Sequence, residues 1–399
     1  MKVLIFSESF YPHGGGAEFA TRLYSQLLAE NGFEVSVITK QFPNEPCKEL
    51  LFGKIKIYRY PFRVFNDGRY FSFVNANIMT TGFVNKAVSE TDLVYIPGSW
   101  YSAIIAAKLR RKPVVIHMHN NALTCPTSLM YDFVQRDAGK SSGKSFMLHE
   151  MIQRRRKGVS VAASCFANVV FGGHVSRLLK SANAIIFVSK AQLHLTLSRF
   201  PSLSEKSFMV YNPIPDYPMQ NSENIGIGYL GGKNYVKGYY HLIKAIAKLP
   251  PELKAHVHLA MATLTARKDV LRNGVEINSY PKLNREGILN LMKSLSVVVV
   301  PSLNPEPFPY ALIEAMLCGK IVVASNLGGI PEIVEGAGQG VELVNPESTN
   351  DLAECLSRAV GFSLEDAQKI GRQNRELIIR KFSNDLAIKS LISIMDRVS

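Results

Sequence analysis

Cysteine is scarce in this 399-residue chain, and its five copies (Cys47, Cys125, Cys165, Cys318, Cys355) stand far apart with no C-x-x-C pair. That scatter argues against a disulfide framework or a zinc knuckle and predicts a reducing, cytoplasmic setting. Long apolar runs are missing too. No stretch approaches the roughly 18 residues that a membrane-spanning helix needs. The apolar start Met1–Phe6 is short, passes into a polar loop and carries no small-residue cleavage site. Neither export nor a membrane span is expected. Low-complexity tracts and short-period repeats are lacking as well, and with 47% hydrophobic and 20% charged residues the composition is that of an ordered globular protein.

Acidic residues run short in one place only. Residues 101–200 hold 3 Asp/Glu against 15 Lys/Arg, whereas residues 1–100 hold 9 against 10 and residues 201–399 hold 20 against 21. Nearly all of the net charge of +14 therefore belongs to one segment, which includes Arg110-Arg111-Lys112 and Arg154-Arg155-Arg156-Lys157. Such a concentration is either a solvated basic face or a surface that attracts anionic lipid headgroups, nucleic acid or an anionic polymer. Nucleic acid is not the expected partner, because no helix-turn-helix, RNA-binding signature or stacking platform accompanies the charge.

At this length two domains are expected. The first half alternates strands and helices: Lys2–Ser7, a loop through His13 to Gly16, then a helix whose Ala20, Leu23, Tyr24, Leu27 and Leu28 follow helical spacing and which Gly32 closes. Phe33–Thr39, Leu93–Ile96, Val114–His117 and Ala184–Val188 read as further strands, with helices over Ala103–Leu109 and Lys190–Arg199. Tyr211–Pro218 carries three prolines within six residues and reads as a linker. The scheme restarts beyond it with a strand over Ile225–Leu230, a helix over Tyr240–Leu249, a strand over His256–Met261 and another over Val297–Val300. Alternation of this kind implies an α/β fold with parallel sheets covered on both faces. Phe382–Val398 reads as an amphipathic closing helix with Leu386, Ile388, Leu391, Ile392 and Met395 on its apolar side. Asp132–Gly158 is open between helices and a basic lid.

The richest junction is the passage from the four valines of Val297–Val300 into a helix, with Glu306 and Glu314 eight positions apart. Open α/β sheets bind ligands just beyond the carboxyl ends of their strands. Pro309 suits the first helical position, so the amides of Tyr310, Ala311 and Leu312 are expected to point outward, unbonded, as an anion site. Carboxylates on either side accept from vicinal hydroxyls. A nucleotide sugar satisfies both demands.

These residues resemble the retaining glycosyltransferases of family 4. The match covers nearly the whole chain and is carried by Pro301-Ser302 with Glu306-x7-Glu314, by Gly319–Ser325 and Gly328–Val334, and further by the early glycine loop, Ala184–Lys190, Val210–Pro213 and Lys237-Gly238. The resemblance implies the GT-B architecture, in which two Rossmann-like doubly wound domains face each other across a cleft. It places an acceptor-side domain at 1–210, a linker at 211–218, a nucleotide-sugar domain at 219–378 and a C-terminal helix, 379–399, packed back on the first domain.

The same resemblance implies roles. Glu306 contacts hydroxyls of the transferred sugar, Glu314 accepts from the ribose, and Lys237 neutralises the donor diphosphate. Where the family has an arginine shortly before that lysine, Gly228–Lys237 has none, and Lys233 is the substitute. Gly14, Gly15 and Gly16 let backbone approach the donor. His119, rather than His117, matches the active-site histidine, and Glu332 is structural or supporting. The implied reaction moves sugar from a UDP- or GDP-linked donor to a hydroxyl of a saccharide or lipid-linked glycan, with no metal and no further cofactor, in cell-surface polysaccharide or glycoconjugate synthesis. The enzyme would be cytoplasmic and peripheral at the inner membrane face. A sugar-nucleotide epimerase and a non-catalytic glycan- or lipid-binding scaffold are the alternatives.

Overall fold

The computed structural model describes the chain except for residues 62–80, 126–127, 141, 153–156, 251–255 and 261–262, and the side chains of 164 and 167–172. It divides into two compact units. The first comprises Met1–Leu129, Arg156–Ile214 and Phe382–Ser399, and the second Met130–Arg155 and Pro215–Lys381.

In the first unit, eight strands among the described residues lie side by side in the order Ser207–Met209, Ala184–Phe187, Val114–Met118, Leu93–Ile96, Lys2–Phe6, Glu34–Lys40, Ile55–Tyr60 and Lys48–Leu51. All neighbours are parallel except the last pair. From Ile55–Tyr60 inward, chain order runs 3-2-1-4-5-6-7, a doubly wound arrangement. Alternate side chains explain why such strands read as unbroken apolar runs. Leu4, Phe6, Val94 and Ile96 enter one core, while Val3, Ile5, Leu93 and Tyr95 enter the core on the other face. Gly16–Glu30 buries Ala20, Tyr24 and Leu28, spaced four apart.

The closing helix, Asn384–Val398, belongs to this unit and puts Ala387, Ile388, Leu391, Ile394 and Met395 into the second of these cores. Its buried stripe differs from the expected one: Leu386 is 67% exposed. The reason is helical phase, because at about 100° per residue Leu386 stands on the far side of the helix from the buried stripe, where its amide serves the Ser383 cap.

The second unit carries seven strands among the described residues, in the order Arg267–Val270, Glu276–Ser279, His256–Leu259, Gly226–Tyr229, Val297–Val300, Ile321–Ser325 and Val341–Val344. Only the first pair is antiparallel. Its parallel strands again follow 3-2-1-4-5-6. Ile227, Tyr229, Val297, Val299, Ile321 and Val323 pack on the helices Tyr239–Ile246 and Thr349–Val360.

Residues 130–155 correct the expectation of an uninterrupted first domain from 1 to 210. Although they interrupt the first unit in sequence, they associate with the second. The Met130 amide donates to Asn304 Oδ1 at 2.6 Å, the Tyr131 hydroxyl lies 3.4 Å from Glu347 Oε2, and the rings of Tyr131 and Phe133 approach Tyr235 at 6.0 and 5.0 Å. Two aromatic rings with a partner elsewhere outweigh sequence continuity. Here the described chain forms a short hairpin, Tyr131–Asp132 with Asp137–Ala138, and a helix, Gly143–Ile152. Most of the Arg154–Lys157 run lies outside the described residues.

Candidate active site

The switch point of a doubly wound sheet lies between its first and fourth strands, because the connections there leave in opposite directions. In the second unit these are Gly226–Tyr229 and Val297–Val300, which pair directly. Their following loops carry Lys237 and Glu306. The buried Tyr229 hydroxyl ties the first loop down, lying 3.0 Å from the Gly232 carbonyl and 3.2 Å from that of Lys237. Burial and the nearby Glu306 charge push this phenol well above its ordinary range, so it stays protonated and donates.

Gly238 lets the two loops touch. Its φ is +81°, and a Cβ there would stand 1.8 Å from the Pro301 carbonyl oxygen, so no other residue fits without moving backbone. Lys237 Nζ consequently reaches Glu306 Oε2 at 2.6 Å. The other carboxylate oxygen accepts from the Ser302 hydroxyl. The lysine side chain keeps 40% of its surface exposed against 14% for the glutamate, so the cation is the more solvent-open member of the pair. The Gly328–Val334 segment supports Glu306 from behind, where the Gly329 amide donates to the Glu306 carbonyl at 2.9 Å. Glu332 lies in the first turn of the helix Ile330–Val334, where a carboxylate suits the positive helix end. Lys233 is exposed on the same loop as Lys237.

Helix Tyr310–Leu317 begins one residue later than expected, with Pro309 as its N-cap rather than its first turn. The Pro309 carbonyl accepts from Leu312 at 3.1 Å, so the Leu312 amide is engaged, correcting the expectation of three outward amides. Tyr310 and Ala311 retain first-turn positions. Glu314 projects from the same helix and receives the Tyr217 hydroxyl on Oε1 at 3.1 Å. Burial pushes the Glu314 carboxyl up to about 7, opposed by the Tyr217 bond and the Arg285 charge.

The first unit contributes its own candidates around its first and fourth strands, Lys2–Phe6 and Leu93–Ile96. Gly15 caps the helix Gly16–Glu30, and its amide donates to Glu18 Oε2 at 2.7 Å. Part of the glycine loop expected to meet a donor is thus already met by a carboxylate, as happens wherever a free helix terminus finds an internal anion. His119, just past the strand Val114–Met118, places Nδ1 2.7 Å from the Pro97 carbonyl and Nε2 3.0 Å from Asn212 Oδ1. The carbonyl only accepts, so Nδ1 carries a proton. A neutral ring then offers a bare Nε2, and either the Asn212 amide turns its NH2 inward or the ring takes a second proton. Burial pushes His119 below its ordinary range, which favours the turned amide. His117 is fully buried, bonds Tyr95 through Nδ1 at 2.7 Å and is pushed lower still by burial and by His119, 4.7 Å away between ring centres.

Sequence reasoning thus named Glu306, Glu314, Lys237 and His119 as candidates but missed Ser302, Tyr217, Arg285 and Asn212 as their immediate partners. Ser302 and Asn212 lay inside motifs already singled out, Pro301-Ser302 and Val210–Pro213, and polar side chains at strand ends were the available signal. Tyr217 and Arg285 had none.

Two doubly wound domains, one with paired lysine and glutamate at its switch point, define an α/β protein of GT-B architecture. The profile of "Glycosyltransferase Family 4" matches residues 14–216 and that of "Glycosyl transferases group 1" residues 218–377. The chain belongs to the family-4 glycosyltransferases and is a glycosyltransferase. An uncharacterised glycosyltransferase of Methanocaldococcus jannaschii is 21% identical over 100% of this chain and 99% of its own length. A human relative, a component of phosphatidylinositol N-acetylglucosaminyltransferase, is 22% identical over 95% of this chain and 72% of its own. Among solved structures, HepE from Anabaena in complex with UDP-glucose superposes with a TM-score of 0.66 at 18% identity, covering all of both chains.

Proposed function

We propose that this glycosyltransferase moves a sugar from a nucleotide diphosphate donor to a hydroxyl of a saccharide or lipid-linked glycan, with retention at the anomeric carbon and without a metal ion. The observation that carries the reading is the Lys237–Glu306 ion pair at the switch point. A donor diphosphate brings the negative charge that Glu306 supplies in its absence, so it takes over Lys237 and frees the carboxylate for sugar hydroxyls. Lys237, with Lys233 and the Tyr310 and Ala311 amides, then faces the oxygens where charge develops as the bond from the sugar to the diphosphate breaks. The acceptor oxygen bonds the anomeric carbon on the face the diphosphate leaves, and the departing phosphate oxygen takes the acceptor proton. Glu306 positions the sugar throughout. Glu314 accepts from the ribose, and His119 orients sugar or acceptor hydroxyls once Nε2 exchanges Asn212 for one of them.

Support for the donor class comes from HepE, whose crystals hold UDP-glucose. A lipid-linked acceptor is consistent with the name of the human relative. Titration with UDP, GDP and ADP identifies the nucleotide. Incubation with the corresponding nucleotide sugars and a panel of lipid-linked and free saccharides then tests the reaction. Release of nucleoside diphosphate that depends on acceptor, with the product anomer matching the donor, is the expected result. Conversion of the sugar while it stays attached to its nucleotide would replace transfer with epimerisation.

A further inference from the structure

Glu314 is met from outside its own helix by a hydroxyl whose placement is over-determined. Tyr217 is 3% exposed. Arg375, on the helix Leu364–Lys381, donates to the Tyr217 carbonyl at 2.6 Å and also to that of Leu317, which joins this segment to the end of the Glu314 helix. The Arg285 guanidinium lies 4.6 Å from the centre of the Tyr217 ring and donates to the Asp216 carbonyl at 3.1 Å. A little further on, the fully buried Lys320 ammonium donates to the Gln220 carbonyl at 2.7 Å and to Ser222 Oγ at 3.1 Å. Backbone is thus clamped on both sides of one ring, and the ring ends on Oε1 of the carboxylate.

We infer that Tyr217 is a positioning residue for nucleotide binding, fixing the rotation of the Glu314 carboxylate through Oε1 so that Oε2 is left to accept from the ribose. A carboxylate free to spin loses part of each hydrogen bond it makes to a vicinal diol, and one oxygen held by a phenol presents the other at a set angle. The inference rests on the ribose role proposed for Glu314. Among the described residues, Tyr217, Arg285 and Cys318 are the titratable or charged groups whose influence reaches that carboxyl. Burial holds Cys318 up at about 12, so it stays a neutral thiol, and Tyr217 and Arg285 alone favour the ionised acid. Removing the phenol hydroxyl therefore makes Glu314 harder to ionise.

The test compares Tyr217→Phe, Glu314→Ala and the parent, titrating the tightest binder among UDP, GDP and ADP and its 2′,3′-dideoxy analogue from pH 5.5 to 9. In the parent the ribonucleotide binds more tightly, and its advantage grows as the pH rises through the range of the Glu314 carboxyl. In Tyr217→Phe that advantage falls roughly three- to tenfold, a fraction of one hydrogen bond to a charged group, because the ribose bond is loosened rather than removed. Its rise with pH moves to higher pH, and binding of the dideoxy analogue stays unchanged, as a damaged fold would not allow. If Glu314→Ala abolishes the ribonucleotide advantage while Tyr217→Phe keeps both its size and its pH profile, the inference fails and the ribose role stands. If Glu314→Ala keeps the advantage, the ribose role itself fails and the inference with it.

Discussion

Lys237 and Glu306 satisfy each other at 2.6 Å, and that contact carries a consequence for binding. A ligand phosphate must be worth more to Lys237 than the carboxylate it displaces, and among the described residues the displaced carboxylate keeps only Ser302 unless a sugar hydroxyl replaces the lysine. Diphosphate and sugar should therefore support each other. Lys237→Ala is expected to weaken nucleoside diphosphate binding by roughly tenfold, with little change for the nucleoside alone, because the lysine is partly solvated and its interaction is with charge. Isothermal titration with UDP and uridine, or the matching pair for the preferred base, checks both halves. Glu314 gives a prediction of a different kind. Its folded-state carboxyl holds its proton up to about 7, above the ordinary carboxylate value of 4.5, so the folded state binds a proton there that the unfolded state has released. That contribution to stability is full below about 4.5 and is lost as the pH rises through 7. Urea midpoints for the parent and Glu314→Gln, compared at pH 5 and pH 8, should show the parent losing more stability over that interval than the variant.

At the scale of elements, legibility followed burial. Val297–Val300, Leu93–Ile96 and Lys190–Arg199 were bounded from sequence as they stand in the structure. A strand buried on both faces reads as a short, unbroken apolar run, and Ser189 marks the start of that helix by accepting from the Gln192 amide. The edge strands Lys48–Leu51 and Arg267–Val270 went unread, because half-solvated edges carry charged residues and lose the apolar signal. Helix Leu364–Lys381, with its many charges, escaped for the same reason. The closing helix shows how far periodicity reaches. It existed where expected, yet Leu386 falls outside the stripe that the 3.6-residue turn allows. Leu391→Ala should cost about 2–5 kcal/mol of stability, as cavities in packed cores do, whereas Leu386→Ala should stay within about 0.5 kcal/mol. Urea unfolding of the two variants measures the difference, and equal costs would place Leu386 in the buried stripe.

Across the whole molecule, both Rossmann-like units were legible because each repeats a strand–helix alternation whose handedness and layer order leave few options. The destination of residues 130–155 was not, since it depends on where Tyr131 and Phe133 find ring partners far along the chain. The same is true of the site. Glutamates and lysine stood in recognisable motifs, but Tyr217 comes to Glu314 from 97 positions away and Asn212 to His119 from 93, and no local pattern announces such meetings. Charge is the one whole-molecule property that sequence states outright. Residues 101–200 carry 15 basic side chains against 3 acidic, and among those described Arg110, Arg111 and Lys112 lie together directly after the helix Ser102–Leu109. A lipid-linked acceptor would reside at a surface whose anionic headgroups attract this segment, each nearby cation contributing up to about 1 kcal/mol within a Debye length. The enzyme is therefore expected to pellet with vesicles containing anionic phospholipid at low salt, to be released by a few hundred millimolar sodium chloride, and to ignore vesicles of phosphatidylcholine alone. Reversing the three charges, with Arg110→Glu, Arg111→Glu and Lys112→Glu together, should reduce pelleting severalfold without altering nucleotide affinity. Equal pelleting with neutral and anionic vesicles would assign the basic segment to solvation, and the acceptor would then have to be met in solution.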